Sequence, residues 1–310
     1  MNSTAQLTSY PKHHTRLFIP NNPRHKKINS TIFAVPISSS SSSSASKPTG
    51  NPLPLPQSPK EIVSQAAAAC EKAYADGINL QKIELLLPLI GATDLDDWPG
   101  GIQQQFKAAV PLVEQLLKQL KTLPGLEGRL DAALLDDGDA VAAWTGNNLA
   151  AIVFPMAETL DEVQKIIDRM NKKNTSIATK KPLVLIINPQ WTTEGQVISD
   201  FAFPPWKKAA REKLAASFRE TYIYKETRMN GDLVRLLCSY PQGWQVNVAT
   251  SPKDNECVMQ SVEYPNYQEI DKLLRSLDWT MSSKGLMDRL QAEVEFNKRS
   301  LEQGSGGKRD

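Results

Sequence analysis

LVLIINPQWTTEGQVISDFAFPPW, residues 183–206, is the stretch on which the fold turns. It opens with five apolar residues, Leu183 to Ile187, of which Val184, Ile186 and Ile187 are β-branched. A short run of this kind reads as a strand buried on both faces. Asn188-Pro189 ends it, because proline brings no N–H to a sheet ladder. Polar and aromatic residues follow, and a basic helix begins near Trp206. In an open α/β sheet, ligands collect beyond the carboxyl ends of the parallel strands. Residues 188–206 are therefore the candidate site, with Asn188, Gln190, Trp191, Asp200 and Trp206 as its ligand- or partner-binding residues. Asp200 has the chemistry of a base, but a lone aspartate before a helix is more often a cap or turn residue. No catalytic residue is assigned.

Working outward, Leu149 to Phe154 is a second buried strand, and a helix with Leu160, Val163, Ile166, Ile167 and Met170 inward joins it to 183–187. Strand, helix, strand makes a parallel βαβ unit. After the basic helix the period changes to two. Residues 221–229, 232–240, 244–249 and 257–262 read as an antiparallel meander, with Asn230-Gly231 as a hairpin turn. Upstream, Ser58-Pro59-Lys60-Glu61 is a capping box with proline at the first helical position. Residues 78–87 read as a strand and 102–120 as a helix, kinked or starting late because of Pro111. Residues 130–135 read as a strand and 140–144 as a helical turn. The fold class expected is a three-layer, Rossmann-like α/β domain. Its mixed sheet has a parallel βαβ first half, an antiparallel meander second half and helices on both faces.

The ends differ from this domain. The first acidic residue is Glu61, whereas basic residues and hydroxyls are frequent before it, including an unbroken serine run at 38–44. A basic, Ser-rich, acid-free leader reads as an organelle transit peptide, here plastid, over 1–46. A Pro-rich spacer with no fold of its own follows at 47–57, then the domain at 58–280. A C-terminal helix at 281–303 has a narrow apolar stripe, Leu286, Leu290 and Val294. Deletion of 282–310 is therefore expected to leave the domain folded. Residues 304–310 read as a disordered tail.

Composition narrows the chemistry. His13, His14 and His25 all lie in the leader, so the rest of the chain has no histidine for a triad, a Cys-His dyad or a metal. Without residues 1–46 the 36 basic residues fall to 31 against 34 acidic ones, a net charge of −3. Nucleic-acid binding is not expected at that charge, and no apolar run is long enough for a membrane span. No phosphate loop or dinucleotide fingerprint occurs. The acidic clusters Asp94, Asp96, Asp97 and Asp136, Asp137, Asp139 read as turns. Neither a cofactor nor a metal is expected. Cys70, Cys238 and Cys257 read as buried thiols, with a Cys238–Cys257 disulfide left to geometry.

Several blocks carry a resemblance. They are Lys181-Pro182 through INPQW (187–191), Asp200-Phe201, and ETYIYKETRMNGDLVRLLCSYPQGWQV (220–246). The last holds Gly231, Leu233, Arg235, Tyr240-Pro241, Gly243 and Trp244 in the order Gly-x-Leu-x-Arg, then Pro-x-x-Trp. IELLLP (83–88) and GGIQQQFKAA (100–109) precede them. Over roughly 58–280 the chain resembles the DUF1995 family of plant and algal plastid proteins. That family includes a photosystem II assembly factor and the C-terminal extension of a plastid adenylate kinase. The resemblance implies a chloroplast protein, stromal or peripheral to the thylakoid membrane, whose partners are thylakoid or photosystem assembly proteins. It brings no catalytic residues. The function expected is a non-catalytic interaction protein aiding assembly or maintenance of a photosynthetic complex. The alternative is a small-molecule or nucleotide-binding module, or an enzyme, using the crevice at 188–206.

Overall fold

Ser58 caps the first helix as its spacing to Glu61 predicts: its hydroxyl accepts the Glu61 N–H at 3.3 Å, while the Glu61 carboxylate reaches back to the Gln57 N–H at 2.8 Å. The computed structural model describes residues 51–88, 101–173, 181–191, 205–251 and 254–285, and four positions beyond, 287, 288, 291 and 294. In chain order the elements are α1 (Pro59–Ala75), β1 (Leu80–Glu84), α2 (Gly101–Leu120), β2 (Asp131–Asp136), β3 (Val141–Thr145), β4 (Leu149–Val153), α3 (Leu160–Lys173) and β5 (Leu183–Ile187). Then come α4 (Pro205–Ala216), β6 (Arg219–Met229), β7 (Asp232–Ser239), β8 (Gly243–Ala249), β9 (Asn255–Ser261) and α5 (Tyr267–Arg275). The leader, the Asp94 cluster, Asp200, most of the last helix and the tail lie outside the described residues. No described helix is long and apolar enough to cross a membrane.

The nine strands form one mixed sheet in the order β2-β3-β4-β5-β1-β6-β7-β8-β9. The central strands β4, β5, β1 and β6 run parallel, and antiparallel strands flank them on both sides. All five side chains of β5 are buried, as its apolar run predicts. Leu183, Leu185 and Ile187 join α1 and α2 in one core, and Val184 and Ile186 join α3 in another, so helices cover both faces. The small face of α1, Ala66, Ala69, Cys70 and Ala73, lets that helix approach the sheet closely. α5, opened by a capping box between Asn266 and Glu269, packs Ile270 and Leu274 on the antiparallel half. Strand alternation places α5 on the α3/α4 side. Lys82 pairs with Ile186, and Glu84, on the same side as Lys82, pairs with Ile223. Ile223 then pairs with Cys238, and Cys238 with Trp244.

Two expectations are corrected, and of the two alternatives for α2 the late start is excluded. Residues 141–145 form β3, not a helical turn: alanine favours a helix, but the segment lies between two tight turns with an antiparallel partner on each side, and pairing overrides propensity. α2 starts at Gly101 and continues through Pro111, which lies on the exposed side where water can replace its missing donor. Residues 51–57 form a strap held against the sheet. The Gln245 amide donates to the Leu53 carbonyl at 2.8 Å and accepts the Leu53 N–H at 2.9 Å, and Gln65 donates to the Pro54 carbonyl. This is the strand-like pairing that a side-chain amide offers a backbone, with Leu53 and Leu55 packed on the α1 core.

The other end is also tied in. Asp232, at the β6–β7 turn and 7% exposed, accepts the Met281 N–H at 2.7 Å, the Ser282 N–H at 2.8 Å and the Ser282 hydroxyl at 2.6 Å. The neighbouring Asn230-Gly231 turn has both residues at positive φ, as the hairpin signal predicts. Asn230 donates to Asp271 of α5 at 2.6 Å. Ser282 is thus part of the domain, and a deletion that begins there strips two of the three donors from a buried carboxylate. Met287 and Val294 beyond it are exposed.

A trough beside α4 as the candidate functional site

On the α3/α4 side, the sheet floor over β1, β6, β7 and β8 is left open between the end of α4 and the segment after β9. The result is a trough of about 900 Å3. Its floor holds Lys82, Glu220, Cys238 and Trp244, and Trp191 and Tyr264 stand in its walls.

Lys82 is an uncommon residue for the middle of a central strand. Its side chain is 8% exposed, and its ammonium lies 2.9 Å from Glu84 and 3.2 Å from Glu220. Burial works against its charge, but the two carboxylates outweigh burial and hold its pKa above the usual lysine value. The floor thus carries a fixed ion triad with one negative charge in excess. Cys238 is the reverse case: burial pushes its thiol up to about 12, and Glu220 adds to the shift. A thiol so placed is neutral and a poor nucleophile. Cys70, on the other face of the sheet, is pushed up to about 12 by its own burial.

The YPQGW block builds one end of the trough. Gly243 has φ +86, and a Cβ there would come within 2.6 Å of the Ser261 carbonyl oxygen, so only glycine fits. This close approach of the turn to β9 brings Trp244 edge-on against Tyr264, with ring centroids 4.9 Å apart. Lys225 lies over the Tyr264 ring, 4.8 Å from its centroid. Tyr240 donates its hydroxyl to Asp76 at 3.0 Å and ties the turn to the end of α1.

The residues singled out from sequence divide between support and site. Asn188 sits at φ 48, and its amide spans to β1, accepting the Leu85 N–H at 2.9 Å and donating to the Leu85 carbonyl at 2.8 Å. It continues the β1–β5 pairing by one side chain. Gln190 is exposed and holds its own loop through the Pro155 and Asn188 carbonyls. Trp191, half-buried against the α3 core, reaches the trough. Trp206 lies in the first turn of α4 with its side chain outside the described set, and Asp200 is outside it altogether. Lys82, Glu84, Glu220 and Tyr264 were not singled out. Two members of the triad show in QKIE (81–84), where Lys82 and Glu84 fall on one face of the strand.

Cys238 and Cys257 do not form a disulfide. Cys238 shares its sheet face with Trp244, whereas Cys257 pairs with Asn247 on the opposite face, and all three cysteines are free.

No curated protein matches the chain, and no solved structure does. A family model described as a domain of unknown function (DUF1995) matches residues 56–272, from the strap into α5. With the match spanning more than two thirds of the sequence and the whole sheet, the chain belongs to the DUF1995 family.

Proposed function

We propose that the protein works by binding: it is an auxiliary factor in the assembly or maintenance of a photosynthetic complex in the chloroplast, and it holds a segment of a client protein in the trough. The observation that carries this reading is the trough itself, an open groove of about 900 Å3 with aromatic walls over a fixed ion triad and a neutral thiol. Aromatic side chains in a partly desolvated groove are the usual anchors of protein recognition. The acid-free, Ser-rich leader supports the plastid location. The resemblance to a family that includes a photosystem assembly factor supports the class of client, with stromal or peripheral thylakoid partners.

The test is affinity capture from chloroplasts with the wild-type chain and Trp191→Ala, run beside denaturant melts. Trp191→Ala is expected to weaken client binding by ~2 kcal/mol, roughly thirtyfold, while most of the folding stability is kept. If Trp191 instead only plugs the end of the sheet, the substitution costs about 3–5 kcal/mol of stability, and the surviving folded protein captures its client normally. That outcome would remove Trp191 from the site.

One observation favours a second reading, a small-molecule or nucleotide-binding module. The volume of the trough lies within the range of small-ligand sites, roughly 300–1,000 Å3. A thermal-shift screen with nucleotides and plastid metabolites separates the two readings, since a ligand of the native state raises the midpoint in a saturable way.

A further inference from the structure

The sheet ends differently on its two sides. β9 forms one edge, and all of its residues but Glu256 are half-buried. β2 forms the other, and its residues 131–134 are exposed, Leu134 to 56%. Its middle, Ala132-Ala133-Leu134-Leu135, carries no charge, and among the described residues no strand pairs with its outer side. Edge strands of monomeric proteins are usually blunted by lysine, proline or a covering element, because their free N–H and C=O groups template another strand. Among the described residues, β2 has none of these in its middle. Its charges lie at the ends: Asp131 before the apolar run, and Asp136, Asp137 and Asp139 after it. Arg129 offsets one of them, through an ion pair with Asp131 at 2.9 Å.

We infer that the outer edge of β2 is a docking site for an extended segment of a partner protein, an apolar strand flanked by basic residues, which adds to the sheet as a tenth strand. The aspartates argue against a second copy of this chain. Full antiparallel overlap of two apolar runs sets Asp131 of each copy opposite Asp136 of the other, and like charges directly opposite are destabilising. The same aspartates meet lysine or arginine flanks favourably. This edge is separate from the trough and stands whether or not the trough holds a client.

The test uses the full chain and two short fluorescent peptides with one alternating Val-Thr core, flanked by lysines in one and by glutamates in the other. The lysine-flanked peptide is expected to bind at least about tenfold more tightly, with the difference shrinking at high salt. Backbone amides of 131–136 should exchange more slowly when it is bound. Leu134→Lys, at an exposed position, should leave the melting temperature unchanged and reduce binding of the lysine-flanked peptide about tenfold. Equal binding of the two peptides, or no slowing at β2, would overturn the inference. Slowing at β2 that depends on protein concentration without peptide would assign the edge to a second copy and overturn it as well.

Discussion

Asp232→Ala is expected to destabilise the domain by about 3–5 kcal/mol, roughly what the two charge-assisted hydrogen bonds from buried Ser282 contribute when their donors are left unpaired. The three donors at Met281 and Ser282 have no other acceptor at such short distance, and Ser282 is 2% exposed. For a domain whose total stability is about 5–15 kcal/mol, this is a large share. Asp232→Asn keeps an acceptor in place and should cost less. Urea melts of two truncations locate the effect. A chain ending at residue 285 should unfold like the full chain, whereas one ending at 280 should lose as much as Asp232→Ala. If the chain ending at 280 unfolds at the wild-type midpoint, the clamp is peripheral to stability.

Raising the pH above 9 should unfold the protein steeply. Cys70 and Cys238 are held as neutral thiols by burial, with pKa values pushed from the usual 9.0 up to about 12. In the unfolded chain both lose their protons near pH 9, while the folded protein keeps them. Stability is therefore unaffected below pH 9 and falls as the pH rises from there toward 12. Each thiol contributes about 1.4 kcal/mol per pH unit, so together they remove roughly 2.7 kcal/mol per unit. Cys257, half-buried, acts in the same direction. The tyrosines act at higher pH: burial also raises Tyr222, but its unfolded value is near 10, so the interval from 9 to 10 reports on the thiols. Urea midpoints measured across that interval should decline in the wild type and by much less in Cys70→Ala/Cys238→Ala, which keeps only Cys257. An equal decline in both proteins would mean that other groups carry the alkaline transition. A thiol reagent at pH 8 should modify Cys257 first, and Cys70 and Cys238 only on unfolding.

What the sequence showed depends on how local each signal is. The runs at 149–153 and 183–187, the Ser58–Glu61 cap, the Asn230-Gly231 turn and the alternation through β6, β7 and β8 each announce themselves within a few residues, and each is found in place. β3 was missed because its alanines favour a helix locally, and only its pairing neighbours decide. The strap was missed because its partner, Gln245, is 192 residues away. The trough was half legible. Trp191 follows from the strand-end rule, but Lys82 and Glu220 meet only because β1 inserts between β5 and β6, and no local pattern encodes strand order.

That insertion also sets a schedule for folding. β1 is the first strand to be synthesised, yet both of its neighbours come much later: Asn188 closes on Leu85 across 103 residues, and Glu220 meets Lys82 across 138. Until residue 187 has emerged neither side of β1 has a partner, and until β6 has emerged one side remains open. The strap waits longer still, for β8. Among the described residues, β1 therefore stays unpaired on both sides while the first half of the chain is made. Folding dominated by such distant pairings is slow and prone to association. The two sides of β1 are therefore closed only when the last third of the chain has arrived.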